Sequence, residues 1–492
     1  MAACAGIDSS CDRPFAMLYP VLNDSFLKRC LGLSLALHLM AVVFSVGFEQ
    51  ADEFFQIHEF AAYKMGKIAA TDLPWEFHAQ MRSWAQPALL YGLSKSLESL
   101  GVVRPSSWAF AFRLVSGLLG WLSLVGLVLA SRQWFASRRS HKLAVLLSSV
   151  FWCLPYLHAR TSSENWGGSL FLLCLAVGLS ALERRRVFFW LSAGVLWGAA
   201  YLCRYQTGLL IAGAACWMLY RAPDKKLAWL VPGFVAITLL GLLADHWGYG
   251  SWTFSQWNYL RVNLLEGKAA AEFGAAPWTY YFQAAFRAVP PLGALCLVIL
   301  IGGWLVSPRH PLRWASLPFV LVHQLLSHKE LRFLYPILPL VPFFAIFLYE
   351  RGFTYRERLA QIALRTFFVL NLMYLPLGVF VAPKRWEHFY AAVDRYIGAP
   401  VRLYSLDPLP YDGSFFTFDE LHFKQLSDWG ALKPAQGGVR LLLTRGYESP
   451  LPKAHCTRVF VSLPEWWTIF SFPTPPFDWL PRTTIWSLYR CP

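Results

Sequence analysis

Ser327-His328-Lys329-Glu330-Leu331-Arg332-Phe333 stands between two apolar runs, 313–327 and 333–349. Charged side chains at the edge of a lipid-facing segment are costly, so they need a partner or a substrate. Composition decides whether the flanking runs are spans. Of 492 residues, 56% are hydrophobic and only 15% charged, whereas soluble domains carry about a quarter. The 23 Trp suit long interfacial belts. The class is a mainly α, polytopic membrane protein. Its net charge of +15 is spread over short loops. It therefore reads as an orientation signal and not as a nucleic-acid footprint.

A span needs roughly 20 residues, and the apolar runs give about eleven segments. They lie near 30–48, 108–131, 143–158, 168–182, 187–203, 207–220, 227–244, 289–307, 313–327, 333–349 and 362–382. Basic residues then sort the loops. Arg132, Arg138, Arg139 and Lys142 follow the second segment, Arg184, Arg185 and Arg186 the fourth, and Arg221, Lys225 and Lys226 the sixth. Arg309 follows the eighth, and Arg351, Arg356 and Arg358 the tenth. The positive-inside rule turns these loops to the cytoplasm. The odd loops hold Asp52-Glu53, Arg160 to Glu164, Arg204-Tyr205-Gln206, Asp245 and the His328 cluster. Mixed-sign, site-like residues thus gather on the outer face.

Two outer loops are long, 49–107 and 245–288. In the first, Phe54, Ile57, Ala61 and Met65 recur at helical spacing, predicting an amphipathic helix in the membrane interface. From 384 to 492 there is no span. Runs at Val401, Val439, Thr457 and Thr484 alternate with Pro- and Gly-rich turns, predicting a small non-cytoplasmic α/β domain after a membrane domain of 1–383. Cys456 and Cys491 lie there, and an oxidising compartment would allow them to pair. No CxxC or His/Cys cluster has metal spacing.

Asp52 and Glu53 directly follow the first segment. A partly desolvated carboxylate there suits proton abstraction from a hydroxyl, and equally suits the opening turn of a helix. Lys329, Arg332 and His328 suit a phosphate that gains charge as it leaves, or else snorkel at an interfacial turn. That second account leaves Glu330 and the positive charge on the unfavoured side unexplained. Arg160, Glu164, Arg204 and Asp245 fit substrate contact or interhelical bridging alike. Trp75, Glu76 and Arg82 suit a sugar, or anchor the interface.

In chain order these elements resemble glycosyltransferase family 22, the membrane mannosyltransferases. Gln50-Ala51-Asp52-Glu53 is similar to the family's His-Pro-Asp-Glu, with Gln-Ala in place of His-Pro. Pro74-Trp75-Glu76-Phe77 resembles Thr-Trp-Glu-Trp, and Arg82-Ser83-Trp84 with Pro87 resembles Arg-Ser-Tyr…Pro. Arg160-Thr161-Ser162-Ser163-Glu164, Arg204-Tyr205-Gln206-Thr207 and the stretch from Asp245 to Thr253 follow in order. His328-Lys329-Glu330-Leu331-Arg332-Phe333 is the most specific element.

The resemblance implies a GT-C fold and an inverting transfer of mannose from a polyprenyl-phosphate donor to a lipid-linked glycan, with a lean toward the GPI-anchor branch. It implies Asp52 as base supported by Glu53, and His328, Lys329, Arg332 and Arg204 on the donor phosphate. Trp75, Glu76, Arg82, Arg160, Glu164, Gln206, Asp245 and Glu330 would then contact substrate. No metal or other cofactor is implied. The partners expected are membrane lipids, donor and acceptor. The location expected is an endoplasmic reticulum membrane with a lumenal site, or a bacterial inner membrane with a periplasmic one. Transfer of another sugar, a lipid or sugar transporter, and a non-catalytic subunit of a glycolipid assembly complex are the other readings.

Overall fold

A computed structural model describes residues 24–184, 186–221, 225–381, 386–409, 413–432, 437–448, 456–463, 465 and 484–492. Arg185 and the expected boundary at residue 384 lie outside the described residues. The principal helices are α1 (Ser25–Phe44), α2 (Pro105–Ala130), α3 (Arg138–Ser149), α4 (Leu154–His158), α5 (Ser163–Arg184) and α6 (Val187–Cys203). They continue with α7 (Thr207–Arg221), α8 (Leu230–Tyr249), α9 (Leu292–Val306), α10 (Pro311–Leu325), α11 (Val341–Phe380) and α12 (Trp386–Val393). Every expected apolar segment coincides with helix. The 143–158 segment is broken between α3 and α4, and α11 carries two segments across a non-helical residue at Arg356. Among the described residues, six stretches are long and apolar enough to cross a membrane: Ser25–Phe44, Pro105–Gln133, Ser163–Leu182, Lys225–Tyr249, Leu331–Gly352 and Thr354–Phe380. Val187–Cys203 and Leu292–Val306 are apolar but shorter.

The chain divides into two compact units. The first comprises 1–45, 74–88 and 113–381. Its core is built from helix faces carrying Phe171, Trp190, Phe319, Phe343 and Phe344. With no hydrophobic drive between helices in lipid, close backbone approach has to hold them. At Gly194 of α6 and Gly233 of α8 a Cβ would run into the carbonyl oxygens of Leu230 and Leu191 respectively, so only glycine permits this crossing. The basic loops meet at one end of the unit. Arg138 bonds Asp24 at 2.9 Å, the Ala136 N–H donates to Glu350 at 2.9 Å, and Trp217 donates to the Arg309 carbonyl at 2.8 Å. The Arg138 guanidinium holds the Asp24 carboxyl below its ordinary range.

The second unit comprises 46–73, 89–112 and 382–492. It therefore differs from the division drawn at residue 384, because parts of the first outer loop are bonded into the C-terminal region. The Phe415 N–H donates to Glu59 at 3.1 Å. Lys67 donates to the carbonyls of Phe415 and Thr417 at 3.0 and 2.7 Å, and Ser106 donates to Asp394.

The expected interfacial helix is present as Ala51–Glu53, a π turn over Phe54–His58, and Glu59–Lys64. Much of it packs against protein. Phe54, Gln56, Ile57, His58, Glu59, Phe60 and Ala61 are all buried, and Phe54 stacks on Phe416. Protein covers most of its length, and Ala51 and Phe55 remain exposed.

Five strands, β1 (Val401–Ser405), β2 (Leu421–Gln425), β3 (Val439–Arg445), β4 (Thr457–Val461) and β5 (Trp486–Cys491), form a mixed sheet in the order β2-β1-β3-β5-β4. β1 runs parallel to β2 and β3, while β5 is antiparallel to β3 and β4. Sequence patterning anticipates four of these strands and misses β2, a mostly exposed polar edge. Cys456 and Cys491 form a disulfide beside β4 and β5.

Candidate active site

In the second unit, Asp52 and Glu53 open the Ala51–Glu53 turn, where the helix dipole favours them. Glu53 is buried, and its Oε2 accepts the Glu49 N–H at 2.9 Å. Asp52 is the more accessible of the two. The structure thus gives Glu53 a local holding role.

In the first unit, the His328 segment and the start of α5 come together through one carboxylate. Glu164 lies 2.8 Å from Arg204 Nη1 and 3.6 Å from Arg332 Nη1. Glu330 grips Arg332 by both oxygens, at 2.7 Å from Nε and 2.8 Å from Nη2, a fork-to-fork pair that fixes the guanidinium plane. The same carboxylate meets His328 Nε2 at 3.2 Å. Two guanidiniums, Arg204 and Arg332, thus meet two carboxylates, Glu164 and Glu330. Phe333 presents its ring to Arg204 at 5.3 Å and to Arg332 at 5.7 Å.

Arg204 is nearly inaccessible, with a side chain 5% exposed. Its Nη1 also donates to Ser163 Oγ at 3.2 Å. Its Nε and Nη2 are buried and have no hydrogen-bond partner among the described residues. Leaving such donors unmade costs about 1–3 kcal/mol for each neutral group and more for a charged one. Two donors on one guanidinium fit a phosphate.

Other expected site residues take up backbone instead. Lys329 is buried and donates to the Ala276 and Leu326 carbonyls at 3.1 and 2.6 Å. Together with the Ala276 N–H to Ser327 carbonyl bond at 2.9 Å, it laces the second outer loop to the His328 segment. Arg160 is 1% exposed and donates to Ser45 and to the Tyr156 carbonyl, closing the C-terminal end of α1. Asp245 is fully buried, accepts the Trp84 N–H at 2.7 Å and the Ser255 hydroxyl, and so joins the 74–88 stretch to the second outer loop. Glu76 lies 3.7 Å from Arg82, which lies over the Tyr259 ring at 5.4 Å. Gln206 donates to the Tyr259 hydroxyl, and Lys268 sits 4.0 Å over Trp75. A small cavity lies against the other side of this network, lined by His158, Glu164, Asn165, Ser169 and Tyr335 among others.

Two polar groups that sequence reasoning missed belong to this neighbourhood. His323 packs beside Phe333, the ring that Arg204 and Arg332 also meet, and the helix carrying the buried Tyr281 packs against the Leu331–Leu340 turn. A tyrosine in an aromatic-rich segment carries no signal. The histidine inside an apolar run did carry one, five residues before His328. Among the described residues no three His, Cys, Asp or Glu side chains gather as a metal-ligand set.

A family model described as the Alg9-like mannosyltransferase family matches residues 30–397. GPI alpha-1,2-mannosyltransferase 3 of Bos taurus is 26% identical over 273 residues, covering 54% of this chain and 49% of that protein. GPI mannosyltransferase 3 of Yarrowia lipolytica is 28% identical over 303 residues, covering 60% and 57%. The chain spans about half the length of the curated relatives it matches. Among solved structures, ArnT from Cupriavidus metallidurans bound to undecaprenyl phosphate overlaps 96% of this chain and 98% of that one, at 13% identity and a TM-score of 0.49. The Archaeoglobus fulgidus oligosaccharyltransferase overlaps 75% and 55%, at 14% identity and a TM-score of 0.49. The family match takes in the acidic pair after α1, the α5 carboxylate, Arg204 and the His328 segment alike, and the chain belongs to the Alg9-like mannosyltransferase family.

Proposed function

We propose that this protein is an inverting membrane glycosyltransferase with a GT-C fold of about eleven transmembrane helices. It moves mannose from a polyprenyl-phosphate donor to a lipid-linked glycan of the GPI type. The observation that carries this reading is the buried Arg204 guanidinium, with two N–H groups lacking a partner among the described residues. It stands beside Arg332, the two guanidiniums sharing the Glu164 carboxylate. Buried cations aimed at a developing charge are what phosphate departure needs. Arg204 and Arg332 hold that phosphate, Glu164 and Glu330 set their planes, and His328 acts through Glu330.

Asp52 removes the acceptor hydroxyl proton as the sugar carbon is attacked opposite the departing phosphate. Its greater accessibility beside the locally bonded Glu53 supports this choice. A single lipid phosphate is met by arginines, so the reaction proceeds without metal. The names of the GPI mannosyltransferase relatives support the sugar and the acceptor class. The basic loops and the Cys456–Cys491 disulfide support an outer-face site, in an endoplasmic reticulum lumen or a periplasm.

The test is transfer of labelled mannose from polyprenyl-phosphate mannose into a glycolipid extract, by full-length protein in lipid. Wild type is expected to yield a labelled glycolipid and Asp52→Asn none. Transfer by Asp52→Asn at the wild-type rate would remove it as base. No transfer by wild type would overturn the reaction.

A further inference from the structure

We propose that His323 is a specificity-determining residue whose Nε2 accepts a hydrogen bond from a hydroxyl of the transferred sugar, and that the Tyr281 hydroxyl makes a second contact to the same head group. This deepens, and rests on, the reading of the site as a sugar-phosphate transferase.

The argument starts from hydrogen-bond roles. His323 Nδ1 lies 2.8 Å from the Phe319 carbonyl oxygen. A carbonyl only accepts, so Nδ1 carries the proton and Nε2 of the neutral ring presents a lone pair. His323 is 1% exposed, and this Nε2 is buried with no partner among the described residues. Its surroundings hold Phe319, whose ring centroid is 4.2 Å away, and Phe333 at 5.8 Å, neither a donor. Phe333 is the ring shared with Arg204 and Arg332, so the imidazole belongs to the phosphate cluster.

The arginines donate to what they bind, and an ionised phosphate oxygen offers only acceptors. A lone pair there is of no use to a phosphate and needs an O–H. The hydroxyl-bearing group attached to the phosphate is the sugar. Tyr281 presents a similar case. It is 3% exposed, its hydroxyl is buried without a partner among the described residues, and the Tyr280–Ala288 helix that carries it packs against the Leu331–Leu340 turn holding Arg332. Buried polar atoms without a partner among the described residues occur elsewhere too, at His310 and Ser149 for instance; those of His323 and Tyr281 are set apart because the helices that carry them pack against the Leu331–Leu340 turn that holds Arg332 and Phe333. A site built to bond a substrate hydroxyl rejects the analogue lacking it far more strongly than a hydrophobic pocket can reject a missing methylene.

The experiment uses full-length protein in lipid nanodiscs with polyprenyl-phosphate mannose and its 2-, 3-, 4- and 6-monodeoxy counterparts as donors. kcat/KM is measured for wild type, His323→Leu, His323→Gln and Tyr281→Phe, each first checked for an unaltered thermal unfolding midpoint. Wild type is expected to reject at least one deoxy donor by about a hundredfold or more. His323→Leu is expected to lose that discrimination by falling on mannose while holding on that analogue. His323→Gln, whose amide oxygen still accepts, should recover part of it. Tyr281→Phe should level a different position.

Equal losses on all five donors, or discrimination unchanged in His323→Leu, overturn the proposal while leaving the transferase reading intact. Should His323→Leu unfold, the pattern in His323→Gln and Tyr281→Phe decides in the same way. No transfer by wild type overturns both readings.

Discussion

Glu164 holds two guanidiniums with one carboxylate, and the consequences of changing either partner differ. Arg204→Lys keeps a cation but loses the planar fork that bonds Ser163 and Glu164 while presenting further donors. Its expected effect is a fall in kcat of about 10²- to 10³-fold, the scale of losing one preorganised donor, with the unfolding midpoint nearly unchanged. Steady-state mannose transfer beside differential scanning fluorimetry checks it. Glu164→Ala instead strands buried charge and is expected to destabilise the protein by about 3 kcal/mol, read as a lowered melting point. At this scale sequence was a partial guide. It named Arg204, Arg332, Glu330 and Glu164 as residues that matter. It left Arg160 and Asp245 open between substrate contact and bridging and put Lys329 on the donor phosphate; in the structure they bond Ser45, Trp84, and Ala276 with Leu326. The cause is physical. A sequence shows that a charge is expensive at a boundary, but not which backbone group 53, 115 or 161 residues away satisfies it.

Elements were more legible, because apolar periodicity is local. All eleven apolar segments fall on helices, while the break between α3 and α4 and the buried edge of the first outer loop depend on distant partners. The α6–α8 crossing rests on Gly194 and Gly233. Gly194→Leu is expected to abolish accumulation of monodisperse protein, since the Leu230 carbonyl occupies the place of the new Cβ. Size-exclusion chromatography of a fluorescent fusion reads this directly, and Gly32→Leu, with open space at its Cβ, serves as the contrast. Lys67 makes a second prediction. Burial pushes its ammonium down to about 8 from an ordinary 10.5. The unfolded chain holds that proton more tightly, so stability of the second unit should rise with pH from about 8 to 10.5 and level off above. Urea unfolding across that window checks it, and Lys67→Met should flatten the slope.

For the whole molecule, the loops of the first unit sort by charge. Arg138, Arg309 and Glu350 meet the ends of their neighbours at one side, whereas Gly274, Ala276, His328 and Arg332 gather elsewhere. Cysteines introduced at Arg139 and at Glu272 are therefore expected to react with an impermeant maleimide from opposite faces of sealed vesicles. Labelling of both from one face would overturn the topology. The expectation comes from the Lys and Arg positions, which orient the loops of a membrane protein. The buried Arg204 guanidinium beside Arg332 also bears on turnover. On the proposed reaction, the lipid phosphate leaves as a monoester carrying more negative charge than the diester that entered. The arrangement that speeds bond cleavage therefore grips the spent carrier harder than the fresh one. The slow event of each cycle becomes the exit of that carrier, so rapid mixing should show one fast turnover per enzyme followed by a slower steady phase, and added polyprenyl phosphate should compete with the donor.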